Sequence, residues 1–216
     1  MAESLRRYSR LDRSLINLQN LLHNDLTTAP TVATPSPTSG LADDDLTSSE
    51  AHHSAGLMRV NHAGEIAAQG LYTGQAITAR QPATRALLQK SGEQEQQHLD
   101  WCSQRLQELD SSPSRLAPFW FGGSIALGML NGLGGDRWSL GFVAETERQV
   151  EKHLSGHLNE LPAQDHRSRS LVKQMLDEEV EHGNNAMQAG GRKLPWPVRL
   201  LMKASAKVMT TTAYRF

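Results

Sequence analysis

Residues 165–191, DHRSRSLVKQMLDEEVEHGNNAMQAGG, are the stretch that decides the fold. Apolar and small residues recur in it at alternating steps of three and four, which places them on one face of an α-helix. Glu179 and His182 fall on this inward face, together with Val172, Met175, Ala186 and Ala189. Burying a charge without a partner is costly, so a carboxylate and an imidazole in this position indicate a bound metal cation.

Further amphipathic helices are predicted at about 55–80, 82–110 and 138–161. Pro82 suits the first turn of its helix, Asp165 is a predicted N-cap, and the two glycines at 190–191 are a predicted stop. Leu, Ala, Gln and Glu are plentiful and aromatic residues are few, so the predicted class is all-α.

One arrangement of acids and histidines occurs twice along these helices. A lone glutamate on one helix is followed on the next by Glu-x-x-His, which puts two groups one turn apart on one face. The copies are Glu65 with Glu95 and His98, and Glu147 with Glu179 and His182. Two helical hairpins related by an approximate two-fold axis would bring all six side chains together in a bundle core. Four carboxylates and two histidines are the ligand set of di-iron and di-manganese carboxylate bundles.

The competing interpretation is structural, with the acids paired to Arg or Lys on neighbouring helices. The inward faces carry no Arg or Lys, which counts against it. A third Glu-x-x-His, formed by Glu50 and His53, lies in a polar segment without an apolar stripe and is interpreted as a coincidence. Stripe position also disfavours three neighbouring acids as ligands: Glu93, Glu145 and Glu178.

Several residues near the predicted ligands are candidates for supporting roles. His153 is a candidate to orient a ligand, with an interhelical hydrogen bond as the simpler interpretation. Tyr72 is a candidate to approach the metals, although core packing is favoured. His62, one turn before Glu65, is interpreted as a packing or supporting histidine, and Cys102 as a core residue.

The 216 residues divide into three predicted parts: an amphipathic N-terminal helix at 1–26, a flexible linker at 27–54 and a folded domain at 55–216. The net charge of −1 gives no field that favours nucleic acid. The single cysteine excludes an intrachain disulfide, and the N-terminus lacks the apolar region of a secretory signal.

Two segments within the folded domain have the composition of membrane-associating elements. Residues 116–135 carry no charge, but their glycines favour a membrane-dipping or core segment over a spanning helix. Residues 195–216 form a basic amphipathic helix, which fits an anionic membrane surface or a packing helix with a solvated basic face. Together the two segments favour peripheral membrane attachment.

Longer motifs surround the predicted ligands: NHAGE at 61–65, EQQH at 95–98, ETERQVEKH at 145–153 and DEEVEH at 177–182. Over roughly residues 55–216 the chain resembles the demethoxyubiquinone hydroxylase family of ubiquinone biosynthesis, in its bacterial form. The resemblance implies a ferritin-like four-helix bundle, here with extra N-terminal, apolar and C-terminal helices. It also implies a non-haem centre of two Fe ions held by the six residues named above. Animal members of the family have Tyr at the position of Leu154, so any role of that Tyr does not carry over.

The same resemblance implies an O2-dependent monooxygenase that hydroxylates the ring of a polyprenyl demethoxy-quinol. It implies association with other ubiquinone-pathway proteins, and the expected location is peripheral, at the cytoplasmic face of the bacterial inner membrane. No nucleotide-binding loop is evident in the sequence, so we expect a separate electron donor, which the sequence does not identify. The alternative function is a ferritin-type iron storage or ferroxidase bundle.

Overall fold

The computed structural model describes residues 36–42 and 45–215, so the predicted helix at 1–26 lies outside the described residues. Within those ranges the chain forms six α-helices and no strand, which confirms the all-α prediction. The helices are α1 (Ser48–Thr78), α2 (Pro82–Glu108), α3 (Ala117–Leu133), α4 (Asp136–Glu160), α5 (His166–Gln188) and α6 (Trp196–Ala213).

The first helix begins earlier than its hydrophobic pattern indicates. A capping box fixes its start: Glu50 N donates to the Thr47 hydroxyl at 3.4 Å, and the Glu50 carboxylate accepts from Thr47 N at 2.9 Å. Helix α1 therefore starts at Ser48 rather than near Ala55, and the predicted end of the linker at residue 54 is wrong. Glu50 caps this helix and does not reach the other acids, as expected for a coincidental Glu-x-x-His.

Two antiparallel hairpins build the bundle, with α1 packed on α2 and α4 packed on α5. Helices α2 and α5, and α1 and α4, bring the hairpins together. The two larger apolar clusters among the described residues fill the core of the bundle, one around Met58, Leu106 and Leu171 and the other around Leu88 and Leu140. On each bundle helix the predicted metal ligands fall between the two clusters in sequence, so apolar side chains border them at both ends.

Helix α3 lies against α1 at glycine positions on both helices. A Cβ added at Gly74 would come within 2.2 Å of the Ile125 carbonyl oxygen, and one at Gly128 within 2.4 Å of the Leu71 carbonyl oxygen. The buried part of α3 is limited to Gly128, Asn131 and Gly132. The core interpretation of 116–135 is therefore wrong, because this helix sits on the bundle and exposes its outer face. None of the helices in the described ranges combines the length and the apolar composition needed to cross a bilayer.

Helix α6 returns along the outside of the bundle and is anchored near its two ends. Leu194, just before the helix, is buried, and the ring of Tyr214, just after it, packs directly on Gly56. The Tyr214 hydroxyl is also 2.8 Å from Nδ1 of His53. Between these anchors α6 exposes large apolar side chains, namely Trp196, Leu200, Leu201 and Val208.

Candidate metal centre

The six predicted ligands meet in the core of the bundle, between its two hairpins. Each is no more than 3% exposed: Glu65, Glu95, His98, Glu147, Glu179 and His182. Four of them offer ligand atoms that all lie within 4.8 Å of one another, a group that could hold a metal ion: Glu65, Glu95, His98 and Glu179.

His98 turns its Nδ1 atom toward three carboxylates. This nitrogen lies 3.2 Å from Oε1 of Glu179, 3.3 Å from Oε2 of Glu95 and 3.7 Å from Oε2 of Glu65. It makes no hydrogen bond of good geometry with any residue in the described ranges, and neither do the two oxygens of Glu95. Buried donors and acceptors that converge without aligned hydrogen bonds suit a cation better than a hydrogen-bond network.

His182 occupies the equivalent place on the other side of the same two carboxylates. Its Nδ1 lies 3.0 Å from Oε1 of Glu95 and 3.3 Å from Oε2 of Glu179. Glu95 and Glu179 therefore each direct one oxygen to His98 and the other to His182. The two imidazole ring centres are 6.3 Å apart.

Glu147 completes the set on the His182 side, where its carboxylate interacts electrostatically with Glu179, Glu95 and His182. The Tyr72 hydroxyl donates a 2.6 Å hydrogen bond to Oε1 of Glu147. Tyr72 is also buried in the apolar cluster around Leu88, so it packs in the core and contacts a predicted ligand at once.

Electrostatics within the cluster follow from its burial. Burial raises the pKa of Glu65 and Glu147 well above their usual value, and neighbouring carboxylates add to the effect. Burial by itself would lower the pKa of the two histidines, but the nearby carboxylates outweigh it, with Glu178 the largest raising influence on His98 and Glu179 the largest on His182. The pKa of His98 is thus raised well above its usual value and that of His182 to about 11. A divalent cation that bound here would compete with protons for Glu65 and Glu147, whose charged forms are disfavoured by burial.

The other histidines and the cysteine stay outside the cluster. His153 contacts the ring of His157, one turn along the same helix, with 4.0 Å between ring centres, and makes no hydrogen bond to any of the six residues or across helices within the described part. Neither suggested role for His153 is therefore seen. His62 packs with its Nε2 3.0 Å from the Ser103 hydroxyl, and burial lowers its pKa to about 4. Cys102 is a core residue, as predicted.

Two supporting residues were not predicted. Nε2 of His98 lies 2.6 Å from Oε2 of Glu178, and Nε2 of His182 lies 3.2 Å from Oε1 of Gln94. Each supporting residue directly precedes the glutamate of one Glu-x-x-His and reaches the histidine of the other. The doubled pattern extends to these preceding positions, which is the signal that could have identified them.

The fold and this buried cluster agree with what comparison with known proteins finds. A family model described as "Ubiquinone biosynthesis protein COQ7" matches residues 52–213. The chain belongs to the COQ7 family. The all-helical bundle is consistent with the ferritin-like bundle of that family, and the resemblance stated from the motifs is confirmed.

Curated COQ7 relatives match most of the chain. A protein of Polynucleobacter asymbioticus is 57% identical over 182 residues, which cover 84% of this chain and 87% of the relative. One of Ralstonia pickettii is 58% identical over 170 residues, covering 79% and 78%. One of Nitrosococcus oceani is 49% identical over 209 residues, covering 97% and 98%. All three are named 3-demethoxyubiquinol 3-hydroxylase, so the ferritin-type alternative is not favoured.

Proposed function

We propose that this chain is a 3-demethoxyubiquinol 3-hydroxylase, a monooxygenase that uses O2 to hydroxylate the ring of a polyprenyl demethoxy-quinol. The observation that carries the proposal is the shared position of Glu95 and Glu179, each with one oxygen toward each histidine. This arrangement suits two metal ions rather than one.

The donor set fits a pair of iron ions, since carboxylates and imidazoles are both suitable ligands for that metal. Glu65 and His98 would hold one ion and Glu147 and His182 the other, with Glu95 and Glu179 serving both. When bound, the iron pair supplies the redox chemistry that ground-state O2 and a closed-shell ring lack.

The protein's own residues position these ligands and exclude water. Glu178 fixes the ring of His98 from the outer nitrogen, and Tyr72 fixes one oxygen of Glu147. The two apolar clusters border the acids at both ends. A low-polarity surrounding strengthens every electrostatic contact in the site and protects reactive species from side reactions.

A narrow cavity between α1 and α4 offers a route for the substrate. Its lining runs from half-exposed side chains, Leu71 and Thr146, to the buried groups Tyr72 and Glu147. Helix α3 packs on α1 beside Leu71, and α6 contacts α4 through a hydrogen bond from Gln149 to the Arg199 carbonyl oxygen. The mouth of the cavity is therefore flanked by the two helices with exposed apolar side chains.

Those exposed side chains support attachment to a membrane surface, from which a polyprenyl quinol would enter. Helix α3 exposes Phe119, Leu130 and Leu133, each by at least 65%, and α6 exposes Trp196 and Leu201 to a similar degree. Helix α6 carries no acid, and its exposed lysines are available to anionic lipid headgroups. The location we propose is peripheral, at the cytoplasmic face of the bacterial inner membrane.

The decisive experiment mixes the chain, loaded with iron(II), with a short-chain demethoxy-quinol and a chemical reductant without oxygen and then admits O2. The reductant supplies the two electrons that convert the second oxygen atom of O2 to water. We expect mass spectrometry to show one added oxygen atom on the ring. Glu179→Ala should lose iron and product, whereas Glu181→Ala, at an exposed acid on the same helix, should keep both. Full iron content and turnover in Glu179→Ala would refute the ligand assignment, and no ring product from the unaltered chain would refute the activity.

A further inference from the structure

Gln75 is a buried amide that has no role in the proposed centre. It lies on α1, one turn beyond Tyr72, and its side chain is fully buried. Its Nε2 donates a 2.9 Å hydrogen bond to the Ser139 carbonyl oxygen on α4. Its Oε1 accepts no hydrogen bond from any residue in the described ranges. Because burying an unpaired acceptor is unfavourable, this atom needs an explanation.

The place of Gln75 in the fold indicates a ligand. The residue lines the same narrow cavity as Tyr72 and Glu147, and the remaining walls near it include the apolar Leu71 and Val143. Ser139 holds the nitrogen end of the amide, so Oε1 is the end left for a ligand. The Tyr72 hydroxyl is already engaged with Glu147, so it does not compete for that ligand.

We propose that Oε1 of Gln75 accepts a hydrogen bond from a ring hydroxyl of the quinol and so selects the reduced ring over the oxidised one. The inference rests on the proposed hydroxylase function. A quinol presents O–H donors, whereas the corresponding quinone presents only carbonyl acceptors. The bond from Nε2 to the Ser139 carbonyl oxygen fixes which end of the amide is left for the ligand, and that end is Oε1. An amide oxygen accepts hydrogen bonds but cannot donate them, so this atom pairs with a quinol hydroxyl and repels a quinone carbonyl.

The contact also orients the substrate. Tyr72 and Gln75 lie one turn apart on the same face of α1, and Glu147 faces them from α4. A ring with one hydroxyl on Gln75 presents a neighbouring ring carbon toward Glu147 and the metal site. The cavity is too narrow for a ring in this structure, so entry requires movement of Leu71 at its mouth or of α3, whose Gly128 lies against the backbone of Leu71 and Gln75.

The test measures binding without turnover. The iron-loaded full chain is titrated without oxygen with a short-chain demethoxy-quinol and, separately, with its quinone, and calorimetry gives both dissociation constants. We expect Gln75→Leu to weaken quinol binding by about threefold to tenfold, the effect of one neutral hydrogen bond, with little change for the quinone. Gln75→Met serves as a second variant if Leu is poorly tolerated.

The matched control is Ser54→Ala on the same helix, far from the cavity. It removes another fully buried polar atom that has no hydrogen-bond partner among the residues that the structure describes. It should leave both dissociation constants unchanged. If Gln75→Leu acted only through the lost bond to Ser139, it would weaken the binding of quinol and quinone equally. A change in the ratio of the two dissociation constants therefore shows that Gln75 recognises the quinol directly. A variant that keeps the wild-type preference for quinol, while the unaltered chain hydroxylates it, overturns this inference alone. An unaltered chain that makes no ring product overturns the proposed function instead.

Discussion

Oε2 of Glu178 lies 2.6 Å from Nε2 of His98, the ring nitrogen that points away from the other carboxylates. A carboxylate in this position sets the orientation of the imidazole and increases the basicity of its inner nitrogen. Gln94 holds His182 in the same way from the opposite hairpin, at 3.2 Å and without a charge. The two histidines therefore have different outer partners, although their inner contacts are similar.

We expect Glu178→Ala to lower metal affinity by about tenfold to a hundredfold, because His98 loses the partner that fixes its ring. Competition with a chelator of known iron affinity measures the change. Glu181→Ala, three positions further on the same helix and exposed, is the control. Equal affinities in the two variants would show that Glu178 does not support the site.

Replacing a glycine where α3 meets α1 should destabilise the fold. A Cβ at Gly128 would lie 2.4 Å from a backbone oxygen, so Gly128→Ala should cost about 1–3 kcal/mol through overpacking. Gly123→Ala on the same helix meets nothing within 4 Å and should stabilise by up to about 1 kcal/mol. Thermal melting followed by circular dichroism distinguishes them, and a melting temperature that moves in the same direction in both would contradict the packing argument.

The N-cap of α5 is part of a buried ion pair. Asp165 accepts from Ser168 N at 2.9 Å and from the Arg105 guanidinium at 2.8 Å, and both charged side chains are at least 95% buried. Asp165→Ala should cost up to about 3–5 kcal/mol, because the buried Arg105 loses this carboxylate while Glu108 stays 3.0 Å away, and α5 loses its N-cap. Arg148→Ala, which breaks a pair in which the arginine is 49% exposed, should cost under about 1 kcal/mol. Urea denaturation measures both, and similar losses would argue against the buried pair.

The buried imidazole of His157 should make stability depend on pH. Burial lowers its pKa to about 3, with further lowering from His153 on the same helix and His53 on α1. Since the folded pKa lies below that of the unfolded chain, about 6.5, the contribution is present above pH 6.5 and is lost as the pH falls toward 3. It amounts to at most about 1.4 kcal/mol per pH unit in that window.

Urea denaturation of the unaltered chain at pH 7, 6 and 5 gives the reference slope, which includes every other group that titrates. We expect His157→Gln to reduce that slope, whereas His52→Gln, at an exposed histidine, should leave it unchanged. Lys207 on α6 lowers the pKa of His153 through charge repulsion, and this lysine is unchanged in both variants. Identical slopes in all three proteins would show that His157 is not a neutral buried group.

Membrane attachment is best tested by point substitutions on α6. Removing the C-terminal segment would also remove Tyr214 from its site on Gly56. We expect Leu200→Ser with Leu201→Ser to reduce flotation with anionic vesicles by about tenfold or more, from the lost burial of two leucines. Met187→Ser, an exposed apolar position on α5, is the control, and equal flotation of the two proteins would place the membrane contact elsewhere.

The inward positions of the site are predictable from sequence because helical periodicity states which way a residue faces on its own helix. Glu95 and Glu179 fall on stripes of apolar residues, and the structure buries both. The same rule disfavours Glu178 as a ligand, since this residue lies off the stripe. Periodicity does not show that a long side chain beside the stripe can reach the neighbouring helix, as Glu178 does to His98.

The start of α1 and the placement of α3 show two other limits. Thr47 and Glu50 carry a capping signal, but the residues around them are too polar to form an apolar stripe, so periodicity placed the helix start too late. The apolar residues of 116–135 fit a core helix as well as a surface one. Only contacts such as that of Gly128 with the Leu71 backbone reveal which edge of α3 is covered.

Main chain meets main chain where α3 touches α1, because a Cβ at Gly74 or Gly128 would collide with a backbone oxygen. The position of α3 on α1 therefore does not depend on the side chains on the exposed face of α3. Substitution of Phe119 or Leu130 would therefore change the exposed face of α3 without disturbing how the helix docks, provided that the glycines facing α1 are kept.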